Sequence, residues 1–216
     1  MIKIVHLYYD LLNLYGDSGN VKALEYHLKS SGIQVETVRH SLGETIDLSE
    51  CDIVYIGSGT EHSLMLALDD IMQYRDEISG FKERGGILLS TGNSIELFGK
   101  SIKNGKNEKQ ALGISGYSAE YGKRVVKDVC VKTGLVENEI IGFENHSGRL
   151  DTDKDIITED NFIMTYIIGP VLVRNPQFND MIIKRILEKY PDESGKYSPD
   201  HKLEQKAYDV FRNSMK

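Results

Sequence analysis

At 216 residues, with 40% hydrophobic and 27% charged side chains, the chain suits one large α/β unit with a substantial core. A net charge of −7 and no clustered basic patch argue against nucleic acid as the main partner. No run reaches the ~18 apolar residues of a membrane span, and residues 1–9 carry no signal-peptide cleavage pattern. The expectation is a cytoplasmic protein without membrane insertion.

Residues 2–9 read as a first strand. Asp17 and Ser18 can cap a helix whose Val21, Leu24 and Leu28 share one face. Residues 33–38 alternate as a strand, and 52–57 form a buried strand ending in a glycine turn. Leu64, Leu68, Ile71 and Ile78 mark the next helix, with Asp69, Asp70, Asp76 and Glu77 on its solvated face. A further buried strand at 86–90 runs into a glycine turn and a short helix ending at Gly99. That strand–turn–helix has the shape of a nucleophile elbow, with Thr91 at its tip and Ser90 and Ser94 beside it. Strands alternating with helices predict right-handed parallel βαβ units. Residues 100–109 are Lys/Asn/Gly-rich and read as a mobile loop. Segments 112–121, 125–132 and 140–144 are short strands that look like an antiparallel addition to the sheet. Residues 162–168 form another buried strand, halted by Gly169-Pro170. Helices around 177–190 and 200–213 follow, the latter with Leu203, Ala207, Val210 and Phe211 on one face. With no repeat or linker, residues 1–216 read as a single domain. Its fold class is α/β: a mostly parallel central sheet, helices on both faces, and an antiparallel extension.

In such a sheet, ligands bind at the carboxyl ends of the strands. The segments Asn13–Asn20 and Gly57-Ser58-Gly59-Thr60-Glu61 lie at predicted carboxyl ends. Backbone N–H groups of Gly57, Ser58 and Gly59 can form an oxyanion-like turn, although taken alone a Gly-x-Gly is better read as an ordinary tight turn. Cys51 and Cys130 match no metal spacing and read as buried thiols. Asp151, Asp153 and Asp155 are spaced like part of a calcium loop but lack its glycine and distal glutamate. No metal and no cofactor is expected.

Four segments, read together, carry a resemblance. They are Leu12-Asn13-Leu14-Tyr15-Gly16-Asp17-Ser18-Gly19-Asn20, residues 50–59, Gly142-Phe143-Glu144-Asn145-His146-Ser147-Gly148-Arg149, and Thr165-Tyr166-Ile167-Ile168-Gly169-Pro170. Over nearly its whole length the chain resembles class I glutamine amidotransferases of the cobyric acid synthase (CobB/CobQ) type. The nearest likeness is to the glutaminase subunits of lipid II isoglutaminyl synthase, the GatD type. The resemblance implies a flavodoxin-like fold and glutamine hydrolysis. It also implies ammonia delivery to a Mur-ligase-like, ATP-dependent partner (MurT-like) that amidates the D-glutamate of lipid II in peptidoglycan synthesis. Hydrolysis in that family needs a Cys at the elbow and a His after a later strand, for thiolate attack and proton transfer.

Here Thr91 stands at the nucleophile position and Ile168 at the base position. A threonine hydroxyl needs a base to attack an amide, and isoleucine cannot move a proton. Loss of such members costs on the order of 10⁴–10⁶ in rate. The resemblance places Arg124 where the family's glutamine-binding arginine lies, able to pair with a carboxylate. The competing reading is an exposed strand arginine in the cluster Lys123, Arg124, Lys127. His146 belongs to a string that active relatives carry beside their catalytic His, so local hydrogen bonding is its expected role. A rescuing Ser/Thr–His146 pair is the lesser alternative. Neither cysteine lies at an elbow. Three functions follow: a non-hydrolysing partner subunit, which is favoured; an amidohydrolase using Thr91, Ser90 or Ser94; and an amino-acid sensor using the residual glutamine pocket.

Overall fold

The structure, a computed structural model, describes residues 1–215. Strands β1 (Ile2–Leu7), β2 (Val35–His40), β3 (Ile53–Ile56), β4 (Ile87–Thr91), β9 (Ile156–Glu159) and β10 (Phe162–Thr165) form a six-stranded sheet in the order β2-β1-β3-β4-β10-β9. All neighbours are parallel except the edge pair β9–β10. Alternation along these strands feeds two cores. Ile2, Ile4, Ile53, Tyr55, Ile87, Leu89 and Ile163 face one side, against Val21, Leu24 and Leu28 of α1 (Ser18–Ser30) and Phe178, Ile182 and Ile186 of α5 (Pro176–Leu187). Val5, Leu7, Val54, Ile56 and Leu88 face the other, against Leu64, Leu68 and Ile71 of α2 (Glu61–Ile71) and Ile78 and Phe81 of α3 (Arg75–Glu83). The expected three-layer α/β fold is therefore present. The single helix expected around 64–78 is split by a 3₁₀ turn at Met72–Tyr74.

The second half departs from expectation in four places. Residues 100–109 are not a loop: β5 (Ser101–Asn104) and β6 (Asn107–Gln110) make a tight hairpin, with Gly105 supplying the φ of +60° at the turn. The short strands expected at 112–121 and 125–132 are one strand, β7 (Ala119–Val131), with a bulge between Tyr121 and Val125. The strand expected at 140–144 runs on as β8 (Ile140–Leu150). Together they form a separate four-stranded sheet, β6-β5-β7-β8, rather than an addition to the central one. An isolated bridge between Phe143 and Ile168 ties β8 to the segment after β10. Cys51 is buried as expected, but Cys130 is exposed, because it points away from the face of β7 that buries Val129.

The chain then makes α4 (Val171–Arg174), α5, α6 (Pro191–Ser194) and α7 (Lys202–Ser214). Tyr208 and Arg212 of α7 bind the backbone oxygen and the carboxylate of Glu139 respectively. No helix among the described residues is long and apolar enough to cross a membrane.

Candidate functional site

The elbow is built by β4 and the 3₁₀ segment Gly92–Phe98. Its sharp turn falls at Gly92, where φ is +70°. Thr91 is still extended strand, with φ −124° and ψ 143°. A Cβ on Gly92 would lie 2.4 Å from Ser58 Cβ and Oγ and 2.8 Å from Ile168 Cγ2. The residue displayed by the elbow is thus Gly92, not Thr91 as expected from sequence. The reason is strand parity: Thr91 shares the face of Ile87 and Leu89, so its side chain points into the α1/α5 layer. Ile168 packs against the tip at Gly92. It is 1% exposed and hydrogen-bonded through its backbone to Phe143.

Thr91 belongs to a buried polar network. Its hydroxyl lies 2.7 Å from the Tyr55 hydroxyl and 3.5 Å from Asp17 Oδ1. Asn20 donates to Tyr55 Oη at 2.8 Å and accepts from the Leu172 N–H at 2.7 Å. Burial pushes the Asp17 carboxyl up to about 6 and raises the Tyr55 phenol. This network ties the segment Leu12–Asn20 to the stretch after Gly169-Pro170 beneath the elbow, because Asn20 satisfies both Tyr55 and the Leu172 backbone N–H. Ser90 and Ser94 are also fully buried. Their hydroxyls meet at 2.8 Å, and Ser94 further bonds the carbonyls of Ile56 and Thr91.

The turn at Gly57, Ser58 and Gly59 is already occupied by side chains of the same chain. Asn93 Oδ1 accepts from the Gly59 N–H at 3.0 Å and from the Ser58 hydroxyl at 3.1 Å. Its amide donates to the Gly59 carbonyl at 2.9 Å. Gly57 packs so closely on Leu12 and Asp17 that a Cβ would meet the Leu12 carbonyl oxygen at 2.4 Å. A backbone donor that would hold an oxyanion must have its hydrogen free, and that of Gly59 is held by Asn93.

Above the turn lies a cleft of about 340 Å³ whose walls include Gly59, Asn93, Glu96, Arg124, Asn145 and His146. Thr91, Gly92 and Ile168 are not among its lining residues. Arg124 sits at the rim, on the bulge of β7, and its Nε donates to Asn145 Oδ1 at 2.7 Å. His146 stacks on Tyr166 with ring centroids 3.7 Å apart, and its Nδ1 lies 2.6 Å from the Gly148 carbonyl. Its partners include none of the elbow hydroxyls, in keeping with a local role. Glu96, on the 3₁₀ segment, is the buried acid of the cleft. It accepts from the Tyr166 hydroxyl at 3.2 Å, and its second oxygen has no protein partner. Burial raises its carboxyl to about 8, so at neutral pH it carries its proton. Sequence reading missed both Asn93 and Glu96. The available signal was Asn93 and Glu96 at i and i+3 in a short segment that also holds Ile95, Leu97 and Phe98.

The model of the CobB/CobQ-like glutamine amidotransferase domain matches residues 3–166. The chain is 29% identical over 208 residues to the lipid II isoglutaminyl synthase (glutamine-hydrolyzing) subunit GatD of Staphylococcus aureus, covering 87% of this chain and 85% of that protein. The subunit of the same name from Streptococcus pneumoniae is 25% identical over 225 residues, covering 94% and 84%. Among solved structures, a crystal structure of a glutamine amidotransferase superposes with a TM-score of 0.50 at 18% identity, covering 88% of this chain and 98% of that one. That likeness speaks to the fold.

Proposed function

Because the chain belongs to the CobB/CobQ-like glutamine amidotransferase domain family, we propose that it is an amidotransferase-like partner subunit that does not itself hydrolyse glutamine. Its partner in this reading is a Mur-ligase-like, ATP-dependent subunit of the MurT type. The pair amidates lipid II for peptidoglycan in the cytoplasm, drawing on free ammonia. The names of the relatives support the assembly and the pathway, since both are subunits of lipid II isoglutaminyl synthase.

The observation that supports loss of hydrolysis most is the glycine at the elbow tip. Gly92 offers no nucleophile, its neighbour Ile168 offers no base, and Asn93 holds the Gly59 N–H. The hydroxyls of Ser90, Thr91 and Ser94 give little support to a substituted nucleophile. All three are buried and bonded within the sheet and turn.

A second reading, an amino-acid sensor, is favoured by one specific feature: Arg124 stands at the mouth of a cleft that the elbow does not fill. In that reading Arg124 pairs with the ligand carboxylate, and no hydrolysis follows.

The test is coexpression with the cognate Mur-ligase-like protein. The two should copurify, and glutamate release from glutamine should not exceed that of the partner alone. Glutamine turnover abolished by Thr91→Ala or Ser94→Ala would overturn the proposal.

A further inference from the structure

Far from the elbow, three helical elements bring two histidines and two carboxylates together. His27 lies in the last turn of α1, Asp180 in α5, and His201 and Glu204 at the start of α7. His27 Nε2 is 3.1 Å from Glu204 Oε1, and His201 Nδ1 is 3.0 Å from Glu204 Oε2. The two imidazole rings have centroids 4.7 Å apart. One ligand atom from each of His27, His201 and Glu204 falls within a span of 4.8 Å. Tetrahedral zinc with bonds near 2.0–2.1 Å sets its ligand atoms about 3.3 Å apart. Each imidazole already lies near that distance from a Glu204 oxygen, His27 from Oε1 and His201 from Oε2, so the carboxylate stands between the two rings.

We propose that His27, His201 and Glu204 form a divalent-metal site, best suited to Zn²⁺, that staples α7 to α1. Two imidazoles and one carboxylate are a donor set zinc takes readily, with a fourth position left for water. Partial exposure of Glu204, with 28% of its side chain accessible, leaves room for that water.

The surroundings supply the usual support for such a ligand. Asp180 Oδ1 is 2.7 Å from His201 Nε2 and also accepts from the Tyr197 hydroxyl. A carboxylate on one imidazole nitrogen fixes the tautomer that presents the other nitrogen's lone pair, here Nδ1 toward Glu204. Without metal, the same contacts form a plain histidine–carboxylate ion-pair cluster. His27 lies 174 positions before His201, so only the i,i+3 pair His201 and Glu204 is local, and the third ligand is hidden from a reading of the chain.

The experiment uses the full chain after chelator treatment, with Zn²⁺ alone as the probe in a competing-chelator titration and elemental analysis of the dialysed protein. One zinc per chain is expected, with a melting temperature that rises with free Zn²⁺. Amide exchange should slow in the first turn of α7. His27→Gln, His201→Gln and Glu204→Gln should each weaken binding at least about 100-fold, whereas Asp180→Asn, which touches no metal, should weaken it roughly 10–100-fold. Circular dichroism checks that each variant folds, and Cys130→Ser controls for the exposed thiol. Absence of stoichiometric uptake would overturn the proposal. So would unchanged affinity in folded His201→Gln and Glu204→Gln, or binding lost only in Cys130→Ser.

Discussion

Replacing Gly92 by alanine tests where the elbow's tip lies. Two costs add. An L-residue held near φ +70° loses about 1–2 kcal/mol to backbone strain. The new methyl would also sit 2.4 Å from Ser58 and 2.8 Å from Ile168, an overpacking that costs about 1–3 kcal/mol. Together these predict a loss of roughly 2–5 kcal/mol, or a fall in melting temperature of roughly 4–20 °C for a chain of this size. Denaturant unfolding and calorimetry of wild type and Gly92→Ala read this directly. A companion variant isolates the steric part. Ser58→Gly removes the two nearest of the atoms that the methyl meets and leaves Ile168 Cγ2, so Gly92→Ala made in that background should cost about 1–2 kcal/mol less. Were Thr91 the displayed residue instead, Gly92 would sit in open backbone. Gly92→Ala within about 0.5 kcal/mol of wild type, with no coupling to Ser58, would refute the assignment.

Three further outcomes follow from the cleft. Glu96 carries a folded-state value of about 8 against an ordinary 4.5, so its contribution is fully present below pH 4.5 and is lost as pH rises through 8. At about 1.4 kcal/mol per unit, the loss is on the order of 5 kcal/mol. Glu96→Gln should flatten that part of the stability–pH curve, and parallel curves for the two proteins would contradict it. Asn93→Ala removes three hydrogen bonds to Ser58 and Gly59 and should cost about 1–3 kcal/mol in urea unfolding. Any amino acid that raises the melting temperature of the wild type should fail to do so in Arg124→Ala, and a retained shift would remove Arg124 from ligand recognition.

Much of the fold was readable because strands that are buried on both faces leave continuous apolar runs, as at Ile53–Ile56 and Ile87–Leu89. The elbow was readable as a shape but not in register. Whether Thr91 ends the strand or tips the turn depends on one residue of parity, and only the tertiary pairing of Thr91 with Tyr55 decides it. The hairpin at β5–β6 looked like a loop because its exposed residues are polar, although Gly105 at the first position of the two-residue turn Gly105-Lys106 is a tight-turn signal. The edge strand β9 was missed because its four residues mix two isoleucines with Thr158 and Glu159. Asn93 and Glu96 were hidden for another reason: their roles depend on backbone groups of Gly59 and on Tyr166, distant in sequence.

In the proposed function this chain completes an amidating complex without splitting glutamine. That function is tested most directly by reconstituting the chain with its Mur-ligase-like partner, ATP and lipid II. Nitrogen would be supplied either as glutamine labelled at the amide or as labelled ammonium. Labelled, amidated lipid II is expected from ammonium and none from glutamine. Transfer of the glutamine amide nitrogen at a rate that rises with the amount of this chain would contradict it.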